Sequence, residues 1–390
     1  MKISQLKAKI QSFYKVFIAP PKEWRLPRKC EVLIYDVCGA EVLEPYLSKY
    51  LTTKMALRGE SINVPCIVHA IFRLKFWKGD PRGAYIESFV KLASPKVVVT
   101  FIDNDEYFYS ISRIFSNVKS IFLQNGSRGE SGDVFSRLIK SDKYHVDYML
   151  VHGSAIGHHY SKYLSGQFLP IGSLKNNAVI PENIVDLDTV LFVSQLNSSP
   201  LNSDVFYFEY DGTPVYYNQF YAAEIKVLKF LDKWCAENSK QLRICGREQH
   251  DYEAEKQFYT DQLTQCIWEY IPRVGHFSSY KLVDNAEIVV FIDSTVGYES
   301  IGRGKKTAAF TCRGQSIFSN AANFGWPLNL PNNGPFWTNT QDEAEFQRVM
   351  DYLNSVDDES WEQTRLSFAS ELIEFNPGNT HFIQLLDHLL

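Results

Sequence analysis

Apolar runs of four to seven residues, each closed by glycine or a short polar side chain, recur along the chain and alternate with stretches of helical period. Glu31–Val37 (EVLIYDV), Val97–Ile102, Ser120–Leu123 and Tyr148–Val151 read as buried strands in the first half. Val190–Ser194, Leu242–Cys245, Ile267–Tyr270, Ile288–Ile292 and Thr307–Phe310 read the same way in the second. Near-continuous apolar runs belong to strands covered on both faces. The stretch GAEVLEPYLSKYL from Gly39, Ala222–Glu237, His250–Thr264, Glu343–Leu353 and Trp361–Leu372 have helical period, and Val64–Phe72 fits either a strand or a helix. This order predicts an α/β protein with mostly parallel sheets and helices on both faces.

The alternation breaks at residues 176–190, where NNAVIPENIVDLD is polar, holds Pro181 and has no period. The chain therefore divides into an arm over 1–30, an α/β unit over 31–180, a second over 190–340 and helices over 341–390. Two such units on a short linker imply a cleft. Open sheets of this kind bind ligands beyond the carboxyl ends of their strands.

One such end is Val289–Phe310, VVFIDSTVGYESIGRGKKTAAF. Asp293, Ser294 and Thr295 are side chains of the N-cap type, and Gly297 leaves room for a ligand near the backbone. A helix starting there would aim its N–H groups and positive dipole end at whatever lies above the strand, which makes an anion site. Glu299 is placed to accept hydrogen bonds from a ribose diol while Ser294 and Thr295 take a phosphate. An ordinary capped helix after a strand has the same signature. Gly302–Lys306 falls between helix and strand and reads as a helix C-terminus with cations facing the dipole.

Other strand ends in the first half supply Asp36–Gly39, Asp103-Asn104-Asp105, the run Gln124-Asn125-Gly126-Ser127-Arg128-Gly129-Glu130, and Gly153-Ser154 with His158 and His159. The second half supplies Ser194-Gln195, Gly246-Arg247-Glu248 and Pro272-Arg273. Phe206–Phe220 has a hairpin pattern around Asp211-Gly212, where Asp211 is either a turn former or a carboxylate aimed into the cleft. Asp103 and Asp105 have D-x-D metal spacing, but acids placed after a strand more often cap the following helix, and no second ligand set accompanies the histidines. No phosphate loop with its lysine, no G-x-S-x-G elbow and no G-x-G-x-x-G after a first strand is present.

Length (390 residues) and 45% hydrophobic content fit two or three domains. Seven cysteines without a C-x-x-C pair fit reduced thiols. With no run of 18 apolar residues and no signal peptide at its start, the chain is expected to be cytoplasmic. A net charge of −5 argues against nucleic acid as a partner. Its distribution is uneven, because residues 1–30 hold eight cations against Glu23 alone. Ile3, Leu6, Ile10, Phe13, Tyr14 and Phe17 lie at near-helical spacing in that arm, which fits an anionic membrane surface and equally a helix docked on its own protein.

In order, LIYDVCGAE, LRGES, VVVTFIDND, FLQNGSRGE, LVHGSAIG, IGSLKNN, LFVSQ, ICGRE, YIPR, FIDSTVGYESIGRGKK and FGWPLNLPNNGPFW resemble bacterial surface-carbohydrate biosynthesis proteins of the two-domain GT-B type. The chain is most similar to the retaining β-Kdo transferase modules of O-antigen and capsule synthesis, from about Cys30 onward. The resemblance implies two Rossmann-like domains facing across a cleft, with a nucleotide sugar, CMP-Kdo, in the second and a lipid-linked glycan acceptor in the first. It implies action at the inner membrane, with residues 1–30 as a peripheral contact. Carried over by position, Ser294, Thr295 and Glu299 hold phosphate and ribose, while Arg247, Pro272 and Arg273 line the base or sugar. It also implies double displacement through an aspartate, for which Asp211 is the candidate and Asp204 the alternative.

Glu130 or His158 would then deprotonate the acceptor, and Arg58 or Arg128 would pair the donor carboxylate beside Gln124 and Asn125. A departing nucleoside monophosphate can be stabilised by helix N–H groups and arginine, so neither metal nor further cofactor is expected. Two other classes fit the same chain. One is a CDP-linked polyol-phosphate transferase, which needs a histidine base at the cleft; the other is a non-catalytic sugar-binding subunit.

Overall fold

The computed structural model describes residues 20–130, 134–181, 185–196, 205–210, 213–247, 252–317 and 322–390. Its first sheet consists of β1 (Val32–Tyr35), β2 (Thr52–Met55), β3 (Val97–Thr100), β4 (Lys119–Leu123), β5 (His145–Val151) and β6 (Ser165–Pro170). They pair in the order β2-β1-β3-β4-β5-β6, all parallel, with Val32 opposite Val97 and Leu33 opposite Val98. Successive side chains serve opposite faces: Val32, Ile34, Val97 and Val99 enter one core, and Leu33, Tyr35 and Val98 the other. Burial on both sides is why the inner strands are apolar throughout. The edge strands β2 (TTKM) and β6 (SGQFLP) are partly exposed and have no such run, so the sequence does not announce them.

In the second unit the strands are β7 (Asp186–Val193), the hairpin β8 (Phe206–Tyr210) and β9 (Thr213–Tyr216), β10 (Gln241–Cys245), β11 (Trp268–Ile271), β12 (Ala286–Phe291), β13 (Lys306–Ala309), β14 (Asn333–Gly334) and β15 (Trp337–Thr338). The sheet order is β11-β10-β7-β12-β13-β15-β14, parallel except for the last pair, and the hairpin stands apart as its own two-stranded sheet.

Helices of seven or more residues are α1 (Ala40–Leu47), α2 (Val64–Ile71), α3 (Pro81–Ala93), α4 (Ser154–Tyr160), α5 (Tyr217–Glu237), α6 (Glu253–Gln262), α7 (Ser278–Asn285), α8 (Thr295–Gly302), α9 (Glu343–Ser355), α10 (Asp358–Ala369) and α11 (Thr380–Leu389). The ambiguous run Val64–Phe72 is a helix because Asn63 caps it, accepting from the Cys66 N–H, and Pro65 occupies its first turn.

The two units are tied together along one side. α9 and α10 pack on the second sheet through Phe346, Met350 and Trp361, whereas α11 returns to the first through Phe382 and Leu386. The 341–390 segment is thus shared between the units. Where it crosses, the Ala155 N–H donates to the Glu371 carbonyl (3.0 Å) and the Glu374 N–H to the His152 carbonyl (2.8 Å). A Cβ on Gly153 would sit 2.3 Å from the Glu371 carbonyl oxygen, so only glycine admits the crossing strand. The polar seam is polar for a related reason: the Arg303 guanidinium donates to the Asn176 and Val179 carbonyls, and Asn176 donates to the Glu299 carbonyl.

Candidate active site

The head of α8 lies beyond the end of β12, facing the loop that follows β4 in the other unit. Ser294 is the N-cap, its hydroxyl accepting from the Val296 N–H at 3.3 Å. The Gln195 amide, oriented to satisfy both neighbours, accepts from the Ser294 N–H (3.1 Å) and donates to Asp293 (2.6 Å). Across the boundary the Thr295 hydroxyl accepts from the Ser127 N–H at 2.9 Å. Two cavities flank this contact.

The first, of 190 Å³, gathers Asn125, Arg247, Arg273, Ser294, Thr295 and Glu299, all expected from the sequence, and adds Lys175 and Tyr280. Pro272 is not among its walls. Glu299 is buried; one carboxylate oxygen accepts from the Tyr280 hydroxyl at 3.0 Å, and the other, Oε1, has no hydrogen-bond partner. Burial pushes its pKa up, opposed by Ser173, Lys175, Tyr280 and Arg303. Burial likewise pushes Lys175 down, although Glu299 and Glu41 favour its charge. A buried acceptor oxygen without a partner, on a residue that lines the cavity, suits a hydroxyl donor from a ligand.

Gly297 does not play the expected part. A Cβ there would lie 1.9 Å from the Phe291 ring, so the glycine seats α8 against its own strand and makes no space for a ligand. Arg247 does reach the cavity and donates to the Gln195 carbonyl at 2.9 Å. Its loop is held by Glu255 on α6, a buried carboxylate that accepts from the Arg247 N–H (3.0 Å), the Tyr270 hydroxyl (2.7 Å) and the Ser194 hydroxyl. This one acid fixes the loops after β7 and β10 together.

The second cavity, of 250 Å³, is walled by Gln124, Arg128, His152, Phe208, Asp293 and Arg313 among others. Gln124 is a scaffold: its amide donates to the Gly126 carbonyl (2.8 Å) and accepts from the His152 N–H (2.9 Å). Arg128 is engaged by a fork on buried Asp103, which also accepts from the Tyr160 hydroxyl at 2.7 Å. Asp105 is taken by Arg82 (2.6 Å) and the Tyr35 hydroxyl (2.9 Å). The D-x-D pair therefore serves as two anchors, and among the described residues no group of three His, Cys, Asp or Glu could hold a metal ion.

Arg313 is buried between two acids, paired with Glu224 and Asp293, with its guanidinium 3.8 Å from the Phe220 ring centre. Burial alone would lower its pKa, but Asp293 and Glu224 together raise it. Burial pushes Glu224 up.

The expected bases fall elsewhere. Glu130 and His158 are exposed, His158 resting on the Phe168 ring, and neither lines either cavity. His152 does. Its Nε2 is buried without a partner, and burial lowers its pKa to about 3, so the ring stays neutral. Its place immediately after β5 is the sequence signal for it. Arg58 also lies apart, paired with Asp36 (2.6 Å) on the wall of a third cavity of 1040 Å³ in the first unit, with Arg82, Asp105, Arg137 and Tyr144. Asp211, Asp204 and Glu248 lie outside the described residues, although Phe208 of the hairpin strand before Asp211 faces the second cavity.

Residues 121–390 match the model of a family described as "putative O-antigen biosynthesis protein". No curated protein matches the chain. A solved structure described as a "putative UDP-N-acetylglucosamine 2-epimerase" from Listeria monocytogenes superposes with a TM-score of 0.52 at 7% identity, covering 92% of this chain and 96% of that one. The UDP-GlcNAc 2-epimerase of Methanocaldococcus jannaschii gives 0.50 at 10% identity, covering 92% and 99%. A glycosyltransferase from Rickettsia africae gives 0.48 at 11%, covering 93% and 98%. At such identities the likeness is one of fold: two Rossmann-like units facing across a cleft, of the GT-B type.

Proposed function

The chain belongs to the O-antigen biosynthesis protein family whose model it matches, and from that premise we propose that it is a glycosyltransferase of bacterial surface-polysaccharide synthesis. The observation that supports this best is the meeting of Ser294, Thr295, Glu299, Arg247 and Arg273 around one cavity at the head of α8, closed from the other unit by Asn125. Hydroxyls, a helix N-terminus and two guanidinium groups suit a nucleotide phosphate, and the open Glu299 oxygen suits a ribose.

The donor in our reading is CMP-Kdo. Its anomeric carbon is tertiary and bears a carboxylate, and the leaving CMP takes the linkage electrons onto phosphate. The helix head with Arg247 and Arg273 can stabilise that charge without a divalent ion. Retention follows from two inversions. The bond to phosphate breaks as an aspartate carboxylate, Asp211 or else Asp204, bonds to the anomeric carbon. An acceptor hydroxyl then attacks from the face CMP has left, releases the carboxylate and passes its proton to a base.

His152 lines the second cavity in our reading as a neutral hydrogen-bond acceptor for the incoming hydroxyl, in place of Glu130 and His158, and because burial disfavours its protonated form the proton passes to the departing aspartate carboxylate. The acceptor, a lipid-linked glycan, enters from the first unit, where the third cavity mixes arginine, carboxylate and tyrosine side chains suited to hydroxyl-rich ligands. The enzyme works at the inner membrane face, with residues 1–30 as the peripheral contact. A second reading, transfer of a CDP-linked polyol phosphate, is favoured by His152 alone. Product analysis separates the two. Transfer from CMP-Kdo that is lost in Asp211→Asn supports the first reading, and turnover only of a CDP-linked polyol, lost in His152→Ala, supports the second. Epimerisation of UDP-GlcNAc would overturn both.

A further inference from the structure

α2 is apolar at every position except His69, yet only one side of it is covered. Cys66 and Ala70 face inward, while Val68, Ile71 and Phe72 stand in solvent, Phe72 at 85% exposure. The segment before α1 lies alongside, held by the Ile62 N–H on the Pro21 carbonyl (2.9 Å) and the Asn63 amide on the Arg25 carbonyl (2.8 Å). It adds Trp24 at 75% exposure and Leu26 at 64%. Trp77, at 71%, donates its indole N–H to the Ile71 carbonyl and continues the ridge. Trp24, Leu26, Val68, Phe72 and Leu92 wall a shallow apolar groove of 460 Å³. An apolar face of this kind needs an occupant.

Charge decides which. Arg25 stands between Trp24 and Leu26, Lys91 precedes Leu92, Lys78 follows Trp77, and Arg28 and Lys29 come just after Leu26 in the chain; all five are exposed, and none is ion-paired among the described residues. Residues 20–30 hold four cations against one acid, and residues 1–19 hold four lysines and no acid. The chain's own first residues and a second copy of this face are therefore of like charge to the rim and disfavoured. An anionic surface is favoured, and tryptophan with phenylalanine on a basic surface is the composition that settles at a lipid headgroup boundary.

We infer that this face, Trp24–Leu26 with the outer side of α2 and Trp77, docks the protein on an anionic lipid bilayer. The contact extends from the amino-terminal arm onto a folded surface, and the binding itself does not depend on which sugar is transferred. It also places the acceptor cleft. α3 has Arg82 at the third cavity and Leu92 at the groove. The ten helical steps from one to the other span about 15 Å of rigid helix, so a lipid-linked glycan would find its polar cleft a short distance above the bilayer.

The test is sedimentation of the full chain with phosphatidylglycerol–phosphatidylethanolamine vesicles and with phosphatidylcholine vesicles. Binding to the anionic vesicles alone is expected, weakening with salt and falling at least about tenfold in Trp24→Ser/Phe72→Ser and in Arg25→Glu/Lys29→Glu. Nucleotide affinity and melting temperature, read on the same variants, should not move, which separates this face from the active site. Wild-type binding by both variants would overturn the inference. So would equal binding to phosphatidylcholine, no binding to anionic vesicles, or a lipid-free dimer that the apolar variant dissociates.

Discussion

The Thr295 hydroxyl accepts a hydrogen bond from the Ser127 backbone N–H at 2.9 Å, and these two residues belong to different units. The contact joins the head of α8 to the opposing loop at the point where the two cavities meet. A bond of this kind contributes about 1 kcal/mol net. Thr295→Val keeps the shape and removes the acceptor, so nucleotide affinity should fall about five- to tenfold while the melting temperature drops by no more than about 4 °C. Calorimetry and a thermal scan on the same sample check this; unchanged affinity would detach the contact from ligand binding.

Alanine in place of a helical glycine ordinarily adds stability, by up to about 1 kcal/mol. Gly297→Ala should do the reverse, because its Cβ would fall 1.9 Å from the Phe291 ring. Overpacking of this sort costs about 1–3 kcal/mol. A urea midpoint lower than wild type is expected, and a higher one would show that Phe291 can move aside.

Arg313 and Glu224 form a buried pair shared with Asp293. Arg313→Met leaves Glu224 buried without its partner and should cost about 3–5 kcal/mol. Replacing both, in Arg313→Met/Glu224→Leu, should recover at least half of that loss. Equal destabilisation of single and double variants in urea titrations would contradict the pair as the source.

Glu299 gives a pH dependence whose sign follows from its burial. Burial raises its folded pKa above the unfolded carboxylate value, so its contribution to stability is fully present below that value and is lost as pH rises through the folded pKa. Glu299→Gln cannot ionise. The variant should match wild type near pH 4 and gain on it steadily toward pH 7 in paired urea titrations. A gap that narrows over that interval would mean that partners such as Tyr280 and Lys175 more than offset the burial.

Much of this architecture could be read from the chain because the inner strands are covered on both faces and must be apolar, as Val97–Thr100 and Ala286–Phe291 are. The edge strands could not, since TTKM at Thr52–Met55 obeys no such requirement. Ser294, Thr295 and Glu299 were legible because a helix start following a strand is a local pattern. The fork of Arg128 on Asp103 is not legible because the partners are 25 residues apart, nor is the pairing of Arg313 with Glu224, 89 residues apart. Gly297 shows the same limit in another form: the sequence gives its freedom, but only the packing gives its neighbour, Phe291.

The central claim is that the cavity beneath Thr295 and Glu299 takes a cytidine nucleotide. Isothermal titration of CMP, CDP, UDP and a CMP-Kdo analogue into wild type and Glu299→Ala tests it most directly. The account predicts that CMP and its Kdo conjugate bind in preference to UDP and that the variant loses this binding. Tighter binding of UDP, or CMP affinity indifferent to Glu299, would contradict it.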